Sequence, residues 1–263
     1  MTELKAHAEL LRSLHHGKLL VLPNAWDEAS AELVVEAGFP VVATSSVAVA
    51  DVLGHQDGEK APWREMFAAV ARIARAVPVP VTVDAEAGYG LEPAQLVAGL
   101  LEAGAAGCNL EDTDHRAGGL TDVAAQADRL AGVRAAADAA GVPLVVNARI
   151  DVFLPPSGIP EADRVAEAVR RGQRYRAAGA DCVYPIGVSG ADVLGRLVEG
   201  VPGPVNGNAG PALDLDTLAS LGVARVSYGP RFYRGGLAAM RGSLDELRIA
   251  AGTAGPGAGA SRR

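Results

Sequence analysis

The clearest regularity in this sequence is a recurring junction between a segment of helical period and a short apolar run. EAG-FPVVATS, EAG-AAGCNLED, AAG-VPLVVNAR, AAG-ADCVYPI and SLG-VARVSYG each place a glycine before a β-branched stretch. Gly38, Gly104, Gly141, Gly179 and Gly222 therefore read as helix-terminating glycines, where a positive φ is wanted. Predicted strands fall at 19–23, 41–45, 79–84, 107–111, 144–149, 182–186, 204–208 and 225–228. They are continuously apolar rather than alternating, as parallel strands buried on both faces should be. The segments between them are amphipathic. In 62–77, Met66, Phe67, Val70, Ile73 and Val77 share a face, with Pro62 in the first turn. In 93–103, Leu96, Val97, Leu100 and Leu101 do the same, and Thr121 or Asp122 can N-cap a helix carrying Val123, Leu130 and Val133.

Eight alternating units predict an α/β fold, a (β/α)8 TIM-type barrel, as one domain over residues 1–250. The alternative is an open doubly wound sheet, weakened because no GxGxxG follows the first strand. Two long loops are expected, 46–61 and 112–121. The Gly/Ala-rich segment 251–263 reads as a flexible tail.

Composition narrows the function. The net charge of −7 argues against a nucleic-acid surface, which needs a basic patch. A small anionic substrate stays open, because local charge decides that. Cys108 and Cys182 sit in apolar runs and read as buried reduced thiols; no CxxC or disulfide framework is present. No stretch approaches the ~20 apolar residues of a membrane span. The N-terminal MTELKAHAEL lacks a signal-peptide core. A soluble cytoplasmic protein with no membrane partner is expected. Only Lys5, Lys18 and Lys60 are lysines, and none ends a predicted strand, which argues against Schiff-base chemistry.

Active sites of such barrels form at the C-terminal ends of the strands. The residues there are Asn24, Ser45 and Ser46, Asp84 and Glu86, Glu111 and Asp112, Arg149 and Asp151, Tyr184, Asn206 and Asn208, and Ser227 and Tyr228. Polar residues begin any loop, which accounts for Asn24 and Ser227. It accounts poorly for five carboxylates and one arginine gathered on strands 3, 4 and 5. Converging carboxylates repel one another and resist desolvation. A hard divalent cation relieves both problems, and Asp84, Glu86 and Glu111 suit Mg²⁺, partly through water. The alternative is a salt-bridge network with Arg149. Asp57 is either an outer ligand or an ordinary loop acid. The planar fork of Arg149 suits a substrate carboxylate. Ser45, with the amides near Ser46 and Val47, can hold the substrate's other end. The GNAGP segment, with Asn206 and Asn208, can add polar contacts to an anion.

Taken in order, LPNAWDEASAELVVEAGF, ATSSVAVADVLGHQDGE, VDAEAGYG, GCNLED and VNARIDVF resemble the isocitrate lyase/phosphoenolpyruvate mutase superfamily over residues 10–235. The resemblance implies a barrel whose last helix is swapped between subunits, in a homotetramer or dimer. It implies Mg²⁺, with Mn²⁺ as a substitute, and small 2-oxo or 2-hydroxy carboxylate substrates. It makes Asp84 the direct metal ligand and Asp57, Glu86 and Glu111 its water-mediated partners. It makes Ser45 and the following amides the substrate carboxylate and oxyanion site, and Arg149 the substrate-binding arginine.

The chain departs from the family after the LED motif. EDTDHRAGGLTD stands where isocitrate-cleaving members carry a Lys-Lys-Cys-Gly-His loop and mutases a loop with lysine and asparagine. Cys108 precedes the motif and cannot replace the loop cysteine. Only His115 and Arg116 offer a proton donor or cation there, unless they are simply solvated. The expectation is a Mg²⁺-dependent carbon–carbon lyase using Arg149, Glu111 and His115, by decarboxylation or retro-aldol cleavage. The alternatives are phosphonomutase-type P–C chemistry and a barrel that binds a 2-oxo acid without turnover.

Overall fold

The computed structural model describes residues 2–252, so the expected tail lies almost wholly outside the described residues. The strands are β1 (Leu20–Leu22), β2 (Asn24–Ala25), β3 (Val42–Thr44), β4 (Val81–Asp84), β5 (Gly107–Glu111), β6 (Val145–Ile150), β7 (Cys182–Pro185), β8 (Asn206–Asn208) and β9 (Arg225–Ser227). All pairings between them are parallel, in the orders β8-β9-β1 and β2-β3-β4-β5-β6-β7. β1 and β2 form one stave interrupted by Pro23, which has no N–H to give a ladder. A parallel bridge between Val183 and Val205 joins β7 to β8 and completes the ring. Eight staves therefore make the expected barrel.

The helices are α1 (Thr2–Leu14), α2 (Glu28–Glu36), α3 (Ser46–Val52), α4 (Trp63–Ala76), α5 (Pro93–Glu102), α6 (Val123–Ala139), α7 (Arg164–Ala177), α8 (Ala191–Gly200), α9 (Leu215–Ser220) and α10 (Arg231–Ala250). All five junction glycines have positive φ, from 72° to 100°. Asp122 caps α6 by accepting from the amides of Ala124 and Ala125. Two local expectations are corrected. The segment 46–61 is not all loop: Ser46–Val52 is helical because it buries Ala48, Val49 and Ala50. Pro62 stands at the N-cap of α4, extended at ψ 128°, rather than in its first turn.

The main core lies between staves and helices and contains Ile73, Leu96, Leu100, Leu110, Leu130 and Val146. A second cluster closes the N-terminal end of the barrel, where Ala8 and Leu11 of α1 meet Leu20, Leu22, Val41, Ala43 and Val145. Between that plug and the mouth, the interior is polar. Asn109 Oδ1 accepts from Asn147 Nδ2 at 2.8 Å and from Arg225 Nη2 at 3.1 Å. Asn206 Oδ1 accepts from Asn147 Nδ2 at 3.0 Å and from the Ser227 hydroxyl at 3.1 Å. This layer replaces the branched aliphatic residues that commonly fill such barrels. Cys108 and Cys182 are fully buried, and burial pushes both thiols up to about 12.

α10 differs from the other long helices in burying none of its residues. Met240, Leu244, Leu247 and Ile249 are all more than half exposed. Beside its start lies an apolar groove of about 430 Å³, lined by Val21, Pro23, Trp26, Leu33, Val34 and Phe39 among others. Among the described residues no helix is long and apolar enough to cross a membrane.

Candidate active site

Strand alternation and register bring the mouth together. Asp84, Glu111 and Arg149 end three consecutive staves; Glu111 pairs in register with Arg149, and Asp84 with Asn109 one pleat below Glu111. Arg149 Nη1 reaches Glu111 Oε2 at 2.5 Å. Its Nε and Nη2 grip Asp151 in a two-pronged contact at 2.7 and 2.8 Å. Burial opposes the Arg149 charge, but Glu111 and Asp151 outweigh it and hold its pKa above the ordinary value. Part of the acidic cluster thus forms the ion-pair network that was the alternative to metal binding. Glu111 is further engaged by His115, whose Nε2 lies 2.5 Å from Oε1. Burial pushes the Glu111 carboxyl upward against the pull of Arg149, and the contact with Glu111 raises His115.

Asp84 is different. Its Oδ2 accepts from the Ser46 hydroxyl at 3.0 Å and from the Ser46 amide at 3.4 Å. Its Oδ1 is shielded from solvent and has no hydrogen-bond partner. Burial raises its pKa, Arg149 opposes the rise, and Asp57 adds to it. Ser45 and Ser46 are buried at the start of α3, and Val47 follows in its first turn. Asp57 is exposed, on the loop above, close enough to raise Asp84 and Glu86. Among the described residues no three His, Cys, Asp or Glu side chains converge as a ready set of direct metal ligands. One direct carboxylate with the others acting through water is the arrangement these positions suit.

Glu86 is held by residues that the sequence reading did not single out. Its Oε2 accepts from the Glu59 amide, its Oε1 from the Tyr89 hydroxyl at 2.9 Å, and the Glu59 carboxylate accepts from the Tyr89 amide. Glu59, Glu86 and Tyr89 have φ of 59°, 49° and 56°, and are the non-glycine residues with positive φ among those described. Left-handed backbone is unfavourable for such residues and gathers at functional sites. The cue in the sequence was the acidic QDGE loop; its partner in GYG lies too far along the chain to be paired by spacing.

Asn206 and Asn208 are committed within the barrel. Asn206 serves the interior layer, and Asn208 accepts from the Tyr184 hydroxyl at 2.7 Å. Asn24 ties its stave to both neighbours, through the Thr44 carbonyl and the Tyr228 amide. Asp112, one of the strand-exit carboxylates, lies beneath Asp151 with partners the sequence did not point to. Asp112 is fully buried and accepts from the Asp151 amide at 2.9 Å, Arg171 Nη1 at 2.9 Å and the Tyr175 hydroxyl at 2.8 Å. The loop 112–121 is tied together by its own contacts. Thr113 bridges Leu120, and Asp114 Oδ1 accepts from the amides of Arg116 and Ala117.

The phosphoenolpyruvate phosphomutase family matches over residues 11–248. A Mycobacterium tuberculosis protein of uncharacterised function is 35% identical over 225 residues, covering 85% of this chain and 83% of its own. An oxaloacetate decarboxylase of Pseudomonas savastanoi pv. phaseolicola is 32% identical over 237 residues, covering 86% of this chain and 78% of its own. A solved structure from Burkholderia cenocepacia J2315, provisionally named a phosphonomutase, aligns with a TM-score of 0.84 at 39% identity, covering 91% of this chain and 99% of the other. The matched span takes in the barrel and the whole acidic mouth, and the chain belongs to the phosphoenolpyruvate phosphomutase family.

Proposed function

We propose that this chain is a divalent-cation-dependent carbon–carbon lyase acting on a small 2-oxo or 2-hydroxy carboxylate. The observation that carries the reading is the shielded, unpartnered Oδ1 of Asp84 beside Glu86, Glu111 and Asp57. A half-satisfied anion in that setting is costly unless a cation completes it. Mg²⁺, or Mn²⁺ in its place, would be held by Asp84 directly and by Asp57, Glu86 and Glu111 through water. When bound, such an ion supplies positive charge to the oxyanion that develops as the carbon–carbon bond breaks.

The protein groups supply the rest. Arg149 is fixed in orientation by Asp151 and binds the substrate carboxylate. The Ser45 hydroxyl and the amides of Ser46 and Val47 orient the other end, and being preorganised they need not rearrange as charge develops. Glu111 and His115 share a short contact at the rim, and we assign to this pair the proton that passes to the product carbon. Its presence supports turnover in a chain that lacks the usual loop lysine and cysteine.

Similarity to an oxaloacetate decarboxylase makes oxaloacetate the first substrate to test, by decarboxylation, with retro-aldol cleavage of hydroxy acids next. P–C bond chemistry is the second reading, favoured by the Burkholderia structure. The exposed apolar face of α10 and the apolar groove at its root support a swapped last helix in a tetramer or dimer.

Purified protein with Mg²⁺ is assayed against oxaloacetate, methylisocitrate, isocitrate and phosphonopyruvate. Turnover of any of the first three supports the lyase; turnover of phosphonopyruvate alone transfers the assignment to P–C chemistry. Tight oxalate binding with no turnover leaves a binding barrel. If Asp84→Ala retains full Mg²⁺ affinity by calorimetry, the metal assignment is wrong.

A further inference from the structure

The loop after β5 carries no lysine, yet Lys60 of another loop lines a cleft that this loop also lines. A cleft of about 270 Å³ opens beside the acidic cluster, and its lining includes Glu59, Lys60, Trp63, Tyr89, His115 and Arg116. Tyr89 and His115 connect it to the site, since one contacts Glu86 and the other Glu111. Lys60 and Arg116 come from different loops, and neither side chain has an ion-pair partner among the described residues. The Glu59 carboxylate is turned toward the Tyr89 amide. The seat of Arg116 is built into the backbone: Gly90, at φ 66°, lies under the guanidinium, and a side chain there would strike it. Gly58 sits at ordinary contact distance from His115, whose Nδ1 lies 3.4 Å from where a Cβ would stand. In a chain of net charge −7, Lys60, Arg116 and an imidazole line one cleft, with Glu59 turned toward Tyr89 and Asp114 acting on Arg116 from its own loop.

We propose that this cleft is a specificity subsite in which Lys60 and Arg116 bind a second carboxylate of the substrate, one that is retained through the reaction. The proposal rests on the oxo-acid reading above. Two cations in a recess confer selectivity for an anionic group over a neutral one of equal length. Retention follows from charge. A carboxylate departing as CO₂ gives up its negative charge in the transition state, so cations that grip it favour the ground state and slow its loss. A group bound here is best left intact, which favours substrates whose broken bond lies between the two acid groups' carbon atoms.

The test uses the Mg²⁺-loaded protein and calorimetry, with oxalate as a probe too short to span both places. 2-Oxoglutarate is compared with 2-oxovalerate, and 2-oxoadipate with 2-oxohexanoate, pairs that differ in the distal acid group. At one length or the other the diacid is expected to bind at least about tenfold tighter. The double variant Lys60→Gln/Arg116→Gln is expected to abolish that preference and leave oxalate affinity unchanged. Both side chains are exposed, so folding is not at stake. No diacid preference in a protein that binds oxalate would overturn the subsite and leave the oxo-acid reading standing. A preference that survives in the double variant would place the second carboxylate elsewhere. Failure to bind oxalate would remove both.

Discussion

Asp112→Ala tests whether the site is braced from below. The substitution removes the acceptor for Arg171 Nη1, for the Tyr175 hydroxyl and for the Asp151 amide together. Breaking one side of a buried ion pair costs about 3–5 kcal/mol. Arg171 keeps a second partner, Glu167, at 2.7 Å, which places the pair's share near the lower figure, about 3 kcal/mol. The orphaned amide and hydroxyl each add about 1 kcal/mol. The sum, about 5 kcal/mol, corresponds to a fall in Tm of roughly 10–20 °C for a domain of this size. Urea unfolding followed by circular dichroism reads the loss. Tyr175→Phe, which removes one hydroxyl, should cost about 1 kcal/mol. Asp112→Asn, with similar volume and one acceptor, should fall between the two. A loss below about 1.5 kcal/mol for Asp112→Ala would mean that water enters and solvates Arg171, and the bracing argument would fail.

Three further outcomes are expected. His15 is buried and its pKa is lowered to about 3, chiefly by burial, with Arg225 adding to the effect. Because the unfolded chain takes up that proton near pH 6.5 and the folded one does not, stability should fall as pH drops from about 6.5 toward 3. Urea midpoints across that range should show a shallower acid slope in His15→Gln, and an unchanged slope would exonerate this residue. Leu244→Asp with Leu247→Asp places charge on the exposed face of α10, and light scattering should show a shift to monomers; an unaltered mass would disconnect α10 from assembly. Gly90→Ala forces a side chain into φ 66° against Arg116 and should cost about 1 kcal/mol in backbone strain, with a weaker diacid preference in the calorimetry above.

The barrel was legible because its grammar is local. Five helices end on a junction glycine, and most staves contain a short apolar run that can be found without knowing its neighbours. The carboxylates at the mouth were legible for the same reason, since Asp84, Glu86 and Glu111 follow those runs directly. What escaped was long-range. Asp112 meets Arg171 and Tyr175 across some sixty residues, and Lys60 and Arg116 line one cleft from two loops. Helical period in SVAVADV was too short to separate a seven-residue helix from a loop. The proline in the first stave was seen as a strand end, whereas it divides one stave between two neighbours. The engagement of Glu111 by Arg149 could be anticipated only as one of two alternatives, because charge alone does not say which carboxylate takes the cation.

The amide layer inside the barrel makes ring closure an observable event. Asn109 and Arg225 are separated by 116 residues, and Asn147 and Asn206 by 59, so their hydrogen bonds exist only once the early and late staves have met. An aliphatic filling tolerates sliding of one stave past the next; a directional amide lattice specifies a single alignment. The side-chain NH₂ resonances of Asn147 are therefore a built-in sensor. Their chemical shifts and solvent-exchange rates during refolding would date the moment at which eight separate staves become one enclosure.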